Sequence, residues 1–315
     1  PPPGFALKLA EMGVTPLGVG RVIVATREPH QQVMIELIRE LGLELHVIFN
    51  KGAVMALPAN VNKTTGLREA LAELKLSPRN VVAIGDAEND HIFLSACECA
   101  VAVANALPAL KQRADWVTAG ARGEGVIELI EHLLADDLTF LQPRLERHRI
   151  PLGLAAGQHV HLEPYGRNLL LAGPARSGKS AAAAAIRTRL AERGYQSCLF
   201  DPDGAWQPVE GSVTLGDSSQ APAESAILQL LEQPSQNVIL NLQALPRAQR
   251  AVFVERLLPR FDKLRARTGR PHWLVLDGAE QLLPAHGEPA GVKRLPRLSS
   301  TLLVTPSPEE VNPAA

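Results

Sequence analysis

Apolar positions along the chain alternate between short β-branched runs and helical spacings of three and four, and the order of these rhythms divides the molecule. "GRVIVATR" (20–27) predicts a strand, and "EPHQQVMIELIRELGLE" after it carries Val33, Leu37 and Leu41 at helical spacing before a stop at Gly42. "LHVIFN" and "AVMALP" predict two more strands, so residues 1–58 are expected to form a small α/β piece with antiparallel strands. From "NKTTGLREALAEL" the pattern becomes strict alternation. The strands "NVVAIG", "AVAVA" and "DWVT" follow in turn, separated by the helices "NDHIFLSAC" and "LPALKQRA" and closed by "GVIELIEHLL". Such alternation predicts a parallel sheet with crossovers, whose ligands gather at the carboxyl ends of the strands.

"LADDLTFLQPRLERHRIPLG" has no clear period and places a domain boundary near residue 138. A hairpin, "IPLGLAAGQHVHLEPYG", completes a connecting region over 138–165. A second α/β unit is expected over 166–315, built from strand "NLLLAG", loop "PARSGK", helix "SAAAAAIRTRLAERG" and strand "SCLFDPDG", then strands "NVILNL", "HWLVLDG" and "TLLVTP".

Length and composition agree with two domains. A chain of 315 residues can bury two cores of ordinary size. Its net charge of -1 creates no global field, so any contact with nucleic acid or an anionic membrane would be a local patch. Cys97, Cys99 and Cys198 have no metal-type spacing, and their odd number argues against a disulfide framework and for a reducing cytoplasm. No apolar run approaches the roughly 18 residues of a membrane span, and "PPPGFALKLAEMG" lacks the marks of a signal peptide, so a soluble cytoplasmic protein is expected. The chain starts without Met and in a helix-like pattern, which reads as a start inside a larger protein.

The first candidate site is "GDAENDHIFL" (85–94). Asp86 and Asp90 stand four apart with Asn89 between them, at a strand-to-helix turn, and oxygen donors so placed suit a hard cation such as Mg2+. Plain N-capping of the helix that begins near Asn89 explains them equally well. The ordered motifs "VNKTTGLREAL", "VVAIGDAENDHIFL", "AVAVANALPALKQRADWVT" and "GEGVIELI" resemble the second half of the haloacid dehalogenase (HAD) superfamily, in its Cof-like and sucrose-phosphatase-like branch, over about residues 20–137. The resemblance implies a HAD-like Rossmannoid parallel sheet, with 59–137 as the second half of the core and 1–58 as the remnant of an α/β cap. It implies that Lys63 neutralises the phosphoryl group and the nucleophile, that Asp86 and Asp90 surround magnesium with Asn89 beside them, and that Asn105 lies near the phosphate. Taken alone, Lys63 would be a solvated surface lysine. The chemistry is coherent, because phosphoryl transfer needs its charge spread over a metal and a cation. The family's nucleophile is an Asp in an Asp-x-Asp motif ahead of the cap, followed by a Ser/Thr motif, and no Asp stands before Asp86. The expectation is therefore that a segment carrying half the active site lies outside this sequence, or that the protein is a non-hydrolysing relative.

The second candidate site is "GPARSGKS". It fits G-x-x-x-x-G-K-S/T between strand and helix, a P-loop in which Gly173, Arg176, Ser177 and Gly178 form the phosphate cradle. Lys179 would reach the β- and γ-phosphates of ATP or another NTP, and Ser180 would bind magnesium. "HWLVLDG" ends in Asp277, which would hold magnesium as a Walker B residue, with a strand-end cap as the plain alternative. Many hydrolysing P-loop enzymes have Glu at the next position, here Gly278, and Glu280 is the candidate substitute. "CLFDPDG", with Asp201 and Asp203, and "LLVTPSP", with Thr305 as a polar sensor, resemble the HerA/FtsK-type ATPases. Binding of a nucleotide is thus better grounded than its hydrolysis.

"ERLLPRFDKLRARTGR" clusters Arg256, Arg260, Lys263, Arg265, Arg267 and Arg270. It could meet a phosphate backbone, but such runs are usually solvated helix faces. His30, His91, His159 and His161 lack metal spacing. The reading that joins both sites is Mg2+-dependent, HAD-type hydrolysis of a small phosphorylated metabolite, with an ATP-binding P-loop domain regulating that site or acting beside it. An ATP-driven nucleic-acid motor on a HAD scaffold and a small-molecule kinase are the alternatives, and homo-oligomerisation stays open.

Overall fold

The computed structural model describes residues 2–285 and 298–314. They divide into one unit of Pro1–Leu74 with Val81–Leu145 and a second of Lys75–Asn80 with Glu146–Ala315.

The first unit opens with α1 (Phe5–Glu11), β1 (Gly18–Val19), β2 (Val24–Arg27), α2 (Gln31–Glu40), β3 (Leu45–Asn50) and β4 (Ala53–Pro58). The strands pair antiparallel in the order β1-β2-β4-β3, as the sequence pattern predicts for this segment. Val24, Val54 and Ala56 are buried among Phe5 and Leu9 of α1 and Met34, Leu37 and Ile38 of α2, so period-two strand positions meet helical i, i+3, i+4 positions. Next come α3 (Lys63–Leu74), β5 (Val82–Gly85), a 3₁₀ turn at Glu88–Asp90, α4 (His91–Ala96), β6 (Cys99–Ala102), α5 (Pro108–Lys111), β7 (Trp116–Val117) and α6 (Gly123–Asp136). β5, β6 and β7 form a parallel sheet in that order. Two boundaries differ from expectation. Helix does not begin at Asn89, because Glu88–Asp90 first make a tight turn, and the "AVAVA" strand lies one residue early and stops at Ala102, where Val103–Ala106 close a turn.

The second unit begins with the expected hairpin, β8 (Ile150–Ala155) and β9 (Gln158–Leu162). It continues with β10 (Leu169–Ala172), α7 (Lys179–Glu192), β11 (Ser197–Asp201), β12 (Ser212–Leu215), α8 (Glu224–Leu231), β13 (Asn237–Asn241), α9 (Arg247–Thr268), β14 (Trp273–Asp277), α10 (Ala279–Leu282) and β15 (Thr301–Thr305). Strands β10 to β15 make one sheet in the order β10-β15-β14-β11-β13-β12, every pairing parallel. Both faces are covered. Leu199, Ile239, Val275, Leu302 and Val304 pack with Ala183, Ile186 and Leu190 of α7, while the alternating Cys198, Phe200, Val238, Leu240, Leu274, Leu276 and Leu303 pack with α8, α9 and α10. This is why the strands read as continuous apolar runs. Parallel pairing also brings Ala172, Thr305, Asp277, Asp201 and Asn241 to the same edge of the sheet. Among the described residues, no helix is long and apolar enough to cross a membrane.

Candidate functional site

In the first unit the site forms where β5 runs out. Asp90 is 2% exposed, and its Oδ2 accepts the backbone N–H groups of Asp86 (2.9 Å) and Ala87 (3.1 Å). The loop is thereby folded onto the carboxylate that follows it. Gly85 makes room for this, because a Cβ there would lie 2.7 Å from the Cβ, Cγ and Oδ2 of Asp90. Lys63, the first residue of α3, donates to the other oxygen of Asp90. Burial pushes the Asp90 carboxyl up, but the Lys63 hydrogen bond, the two amides and the charge of Lys63 overcome it and hold the group below its ordinary value. Asp90 makes no side-chain cap to α4, but by accepting the Ala87 N–H it caps the start of the 3₁₀ turn Glu88–Asp90, so capping and the Lys63 contact both orient it.

Asp86 accepts from Lys51, in the β3–β4 turn. Lys51 was invisible as a site residue from sequence, where Asn50-Lys51-Gly52 reads only as turn chemistry. The Lys51–Asp86 pair is roughly half exposed, the kind of ion pair that contributes little and is readily exchanged. Asn89 Oδ1 is buried with no hydrogen-bond partner. The two carboxylates and this orphan carbonyl fit the donor chemistry of a hard cation. Among the described residues, no group of three or more His, Cys, Asp or Glu side chains is arranged for a metal, so a cation at Asp86 and Asp90 would keep several waters, as Mg2+ commonly does. Asn105 has a structural job, its Oδ1 accepting the N–H of Arg122 at 2.8 Å.

In the second unit the loop Gly173–Gly178 joins β10 to α7. Gly178 has φ 90°, a left-handed conformation that glycine adopts at no steric cost, and it precedes α7 as its N-cap. Lys179 Nζ crosses the loop to the carbonyl of Pro174 at 2.8 Å. At the end of β14, Asp277 Oδ2 accepts the indole N–H of Trp206 at 2.7 Å. Burial pushes the Asp277 carboxyl up, and the charges of Asp201 and Asp203 add to this against the Trp206 and Gly278 N–H groups. Asp201 accepts the N–H groups of Ala205 (3.3 Å) and Trp206 (2.9 Å) and so fixes the loop that presents the indole. Trp206 had no signal in the sequence beyond following "DPDG". Thr305 donates to Glu280 Oε2 at 2.7 Å in a buried pair, so these two candidates meet each other while Asp277 meets Trp206.

The arginines of the basic stretch have partners within the fold. Arg256 and Arg260 clasp Glu224 at 2.7 and 3.1 Å, and Arg265 donates to the carbonyls of Pro271 (2.8 Å) and Ser299 (3.2 Å). Arg267 pairs with Glu232, and the fully buried Arg270 donates to the carbonyl of Leu231 at 3.2 Å. These guanidinium groups hold loops and helix ends together.

Lys63, Asp86, Asn89 and Asp90 lie past the carboxyl end of β5, the side of a parallel sheet where ligands commonly gather. Residues 17–130 match the family described as haloacid dehalogenase-like hydrolase. The chain is 36% identical over 113 residues to a phosphoglycolate phosphatase of Methanothermobacter thermautotrophicus, covering 36% of this chain and 50% of that protein. It is 33% identical over 101 residues to phosphoglycolate phosphatase 2 of Saccharolobus solfataricus, covering 32% and 43%. Among solved structures it is similar to the sucrose-phosphatase from Synechocystis sp. PCC6803 in complex with sucrose and phosphate, at 23% identity, covering 40% of this chain and 60% of that one, with a TM-score of 0.31. The chain spans about half the length of the curated relatives it matches.

Proposed function

We propose that the first unit contributes to a Mg2+-dependent HAD-type phosphohydrolase acting on a small phosphorylated metabolite, with Lys63, Asp86, Asn89 and Asp90 as its share of the active site. The observation that carries this is the convergence of Lys63, Asp86 and Asp90 at the end of β5, beside an unpartnered Asn89 carbonyl. When bound, Mg2+ would supply electrostatic stabilisation of a phosphoryl group. Lys63 holds Asp90 ionised, the amides of Asp86 and Ala87 orient it, and Asp86 is freed for a cation by giving up Lys51. An Asp nucleophile would come from a segment outside this sequence. Because the relatives matched are phosphoglycolate phosphatases, phosphoglycolate is the first substrate to assay.

The second unit, in this reading, binds a nucleotide. Gly173, Arg176, Ser177 and Gly178 would cradle its phosphates, Lys179 and Ser180 would contact them and their Mg2+, and Asp277 would take the metal through water. Support comes from the loop's place between a parallel strand and an Ala-rich helix and from Asp277 at the same edge of the sheet.

The test has two arms. Mn2+, as a spectroscopic substitute for Mg2+, is titrated into the chain and into Asp86→Ala and Asp90→Ala; binding lost in both variants is expected, and binding unchanged in both overturns the first site. ATP with Mg2+ is titrated into the chain and into Lys179→Ala; binding lost in the variant is expected, and absent or unchanged binding overturns the second.

A further inference from the structure

Asp277, the carboxylate given to the metal in the nucleotide reading, is held from two sides at the end of β14. Trp206 donates its indole N–H to Oδ2 at 2.7 Å, and the N–H of Gly278 is a second donor to the same carboxylate. Burial and the charges of Asp201 and Asp203 push the group toward its neutral form, and these two donors oppose them. A carboxylate crowded by its own kind needs such donors to stay ionised and to keep one orientation.

The loop that carries the indole is itself tied down. Asp201, on the neighbouring strand β11, is 2% exposed; its Oδ1 accepts the N–H of Ala205 at 3.3 Å and its Oδ2 the N–H of Trp206 at 2.9 Å. Gln243 donates to the carbonyl of Asp203 at 2.7 Å. A line of fixed contacts therefore runs from Asp201 to the backbone of Trp206 and from its indole to Asp277. Asp201 engages both oxygens as an anchor, which leaves Asp277 as the carboxylate available to a cation. Trp206 and Asp277 also line, together with Ser180, one cavity of about 370 Å³. The Ser180 hydroxyl and the Asp277 carboxylate thus border a common space, and two oxygen donors fit a hard cation that is otherwise held by waters and phosphates.

Resting on the nucleotide reading of the Gly173–Ser180 loop, we propose that Trp206 is a positioning residue of the metal site: its indole holds Asp277 Oδ2 and leaves the other oxygen to the Mg2+ of a bound nucleotide. Donors behind a metal's carboxylate fix its orientation, and their loss commonly lowers metal affinity by about 10- to 100-fold.

The experiment titrates ATP into the full chain by calorimetry, once with Mg2+ and once with EDTA, and follows the indole N–H resonance of Trp206, assigned with Trp206→Phe. Trp206→Phe should weaken binding of Mg2+-ATP about tenfold and leave binding of ATP in EDTA unchanged, a split that a structural role alone would not produce. The effect should vanish in an Asp277→Ala background, where the indole has no carboxylate to orient. In the parent, the indole N–H should stay protected from solvent exchange when Mg2+-ATP is added, because the contact is kept. Unchanged Mg2+-ATP affinity in Trp206→Phe, an equal loss with and without metal, an effect that persists in Asp277→Ala, or release of the indole N–H by Mg2+-ATP would overturn the proposal and leave the nucleotide reading standing. ATP that binds neither with nor without Mg2+ would overturn both.

Discussion

Gly85→Ala should dismantle the first site by one methyl group. The added carbon would lie 2.7 Å from three atoms of Asp90, including its Cβ, so the clash cannot be relieved by turning the end of a side chain. Asp90 must move away, and its Oδ2 then releases the N–H groups of Asp86 and Ala87. Hydrogen bonds to a charged acceptor contribute ~1.5–3 kcal/mol each, so losing both, with Lys63 still holding the other oxygen, should cost about 3 kcal/mol. That corresponds to amide hydrogen exchange about 10²-fold faster at Asp86 and Ala87, read by NMR. Gly66→Ala in α3 is the matched control: a Cβ there meets nothing within 4 Å, and the helix should gain ~0.5–1 kcal/mol. The effect should also vanish when its target is absent, so Gly85→Ala should be nearly neutral in an Asp90→Gly background. Unchanged exchange at Asp86 and Ala87, or an equal cost with and without the Asp90 side chain, would refute the reasoning.

Lys63→Met should raise the Asp90 carboxyl, since burial then prevails over two amides; carbon-detected titration measures it, and an unmoved value contradicts the assignment. The sign has a consequence for stability. In the parent the folded value lies below the unfolded one, so the Asp90 contribution is complete above about pH 3.9 and is lost as pH falls through the folded value, whereas the variant should show a weaker loss or its reverse. Thr305→Val should cost about 2 kcal/mol in denaturant unfolding, because it strips a buried Glu280 oxygen of its donor at 2.7 Å. His272 is pushed down to about 3 by burial and by Arg270, Arg265 and Arg79, and its Nδ1 accepts the N–H of Gln196. An unfolded histidine titrates near about 6.5, so stability should fall as pH drops from there toward about 3, and His272→Gln should flatten that slope.

Much of this was legible in the sequence because it rests on local pattern. The strands "LHVIFN", "AVMALP" and "HWLVLDG" fall on β3, β4 and β14, since strong apolar runs bounded by turn residues leave the backbone little choice. Lys63, Asp86 and Asp90 could be grouped only through the resemblance that the ordered motifs carry, since Lys63 taken alone reads as a solvated lysine. What escaped was non-local. Lys51 reaches Asp86 only because an antiparallel hairpin folds back on the next sheet, and no spacing encodes that. Trp206 meets Asp277 across 71 positions, and arginines of α9 find Glu224 at the start of α8 and Glu232 just past its end, around a helix too short to stand out in the sequence pattern. A charge run shows its composition but not whether its partners wait in the fold.

The three buried cysteines give the molecule its own reporter of opening. Cys97 and Cys99 lie in the first unit and Cys198 in the second, and burial pushes the Cys198 thiol up, away from the reactive thiolate. A short pulse of a thiol-blocking reagent therefore marks a unit only while that unit is unfolded. Mass spectrometry of the peptides then states which of the two gives way first under heat or denaturant, with no dye, tag or substitution introduced.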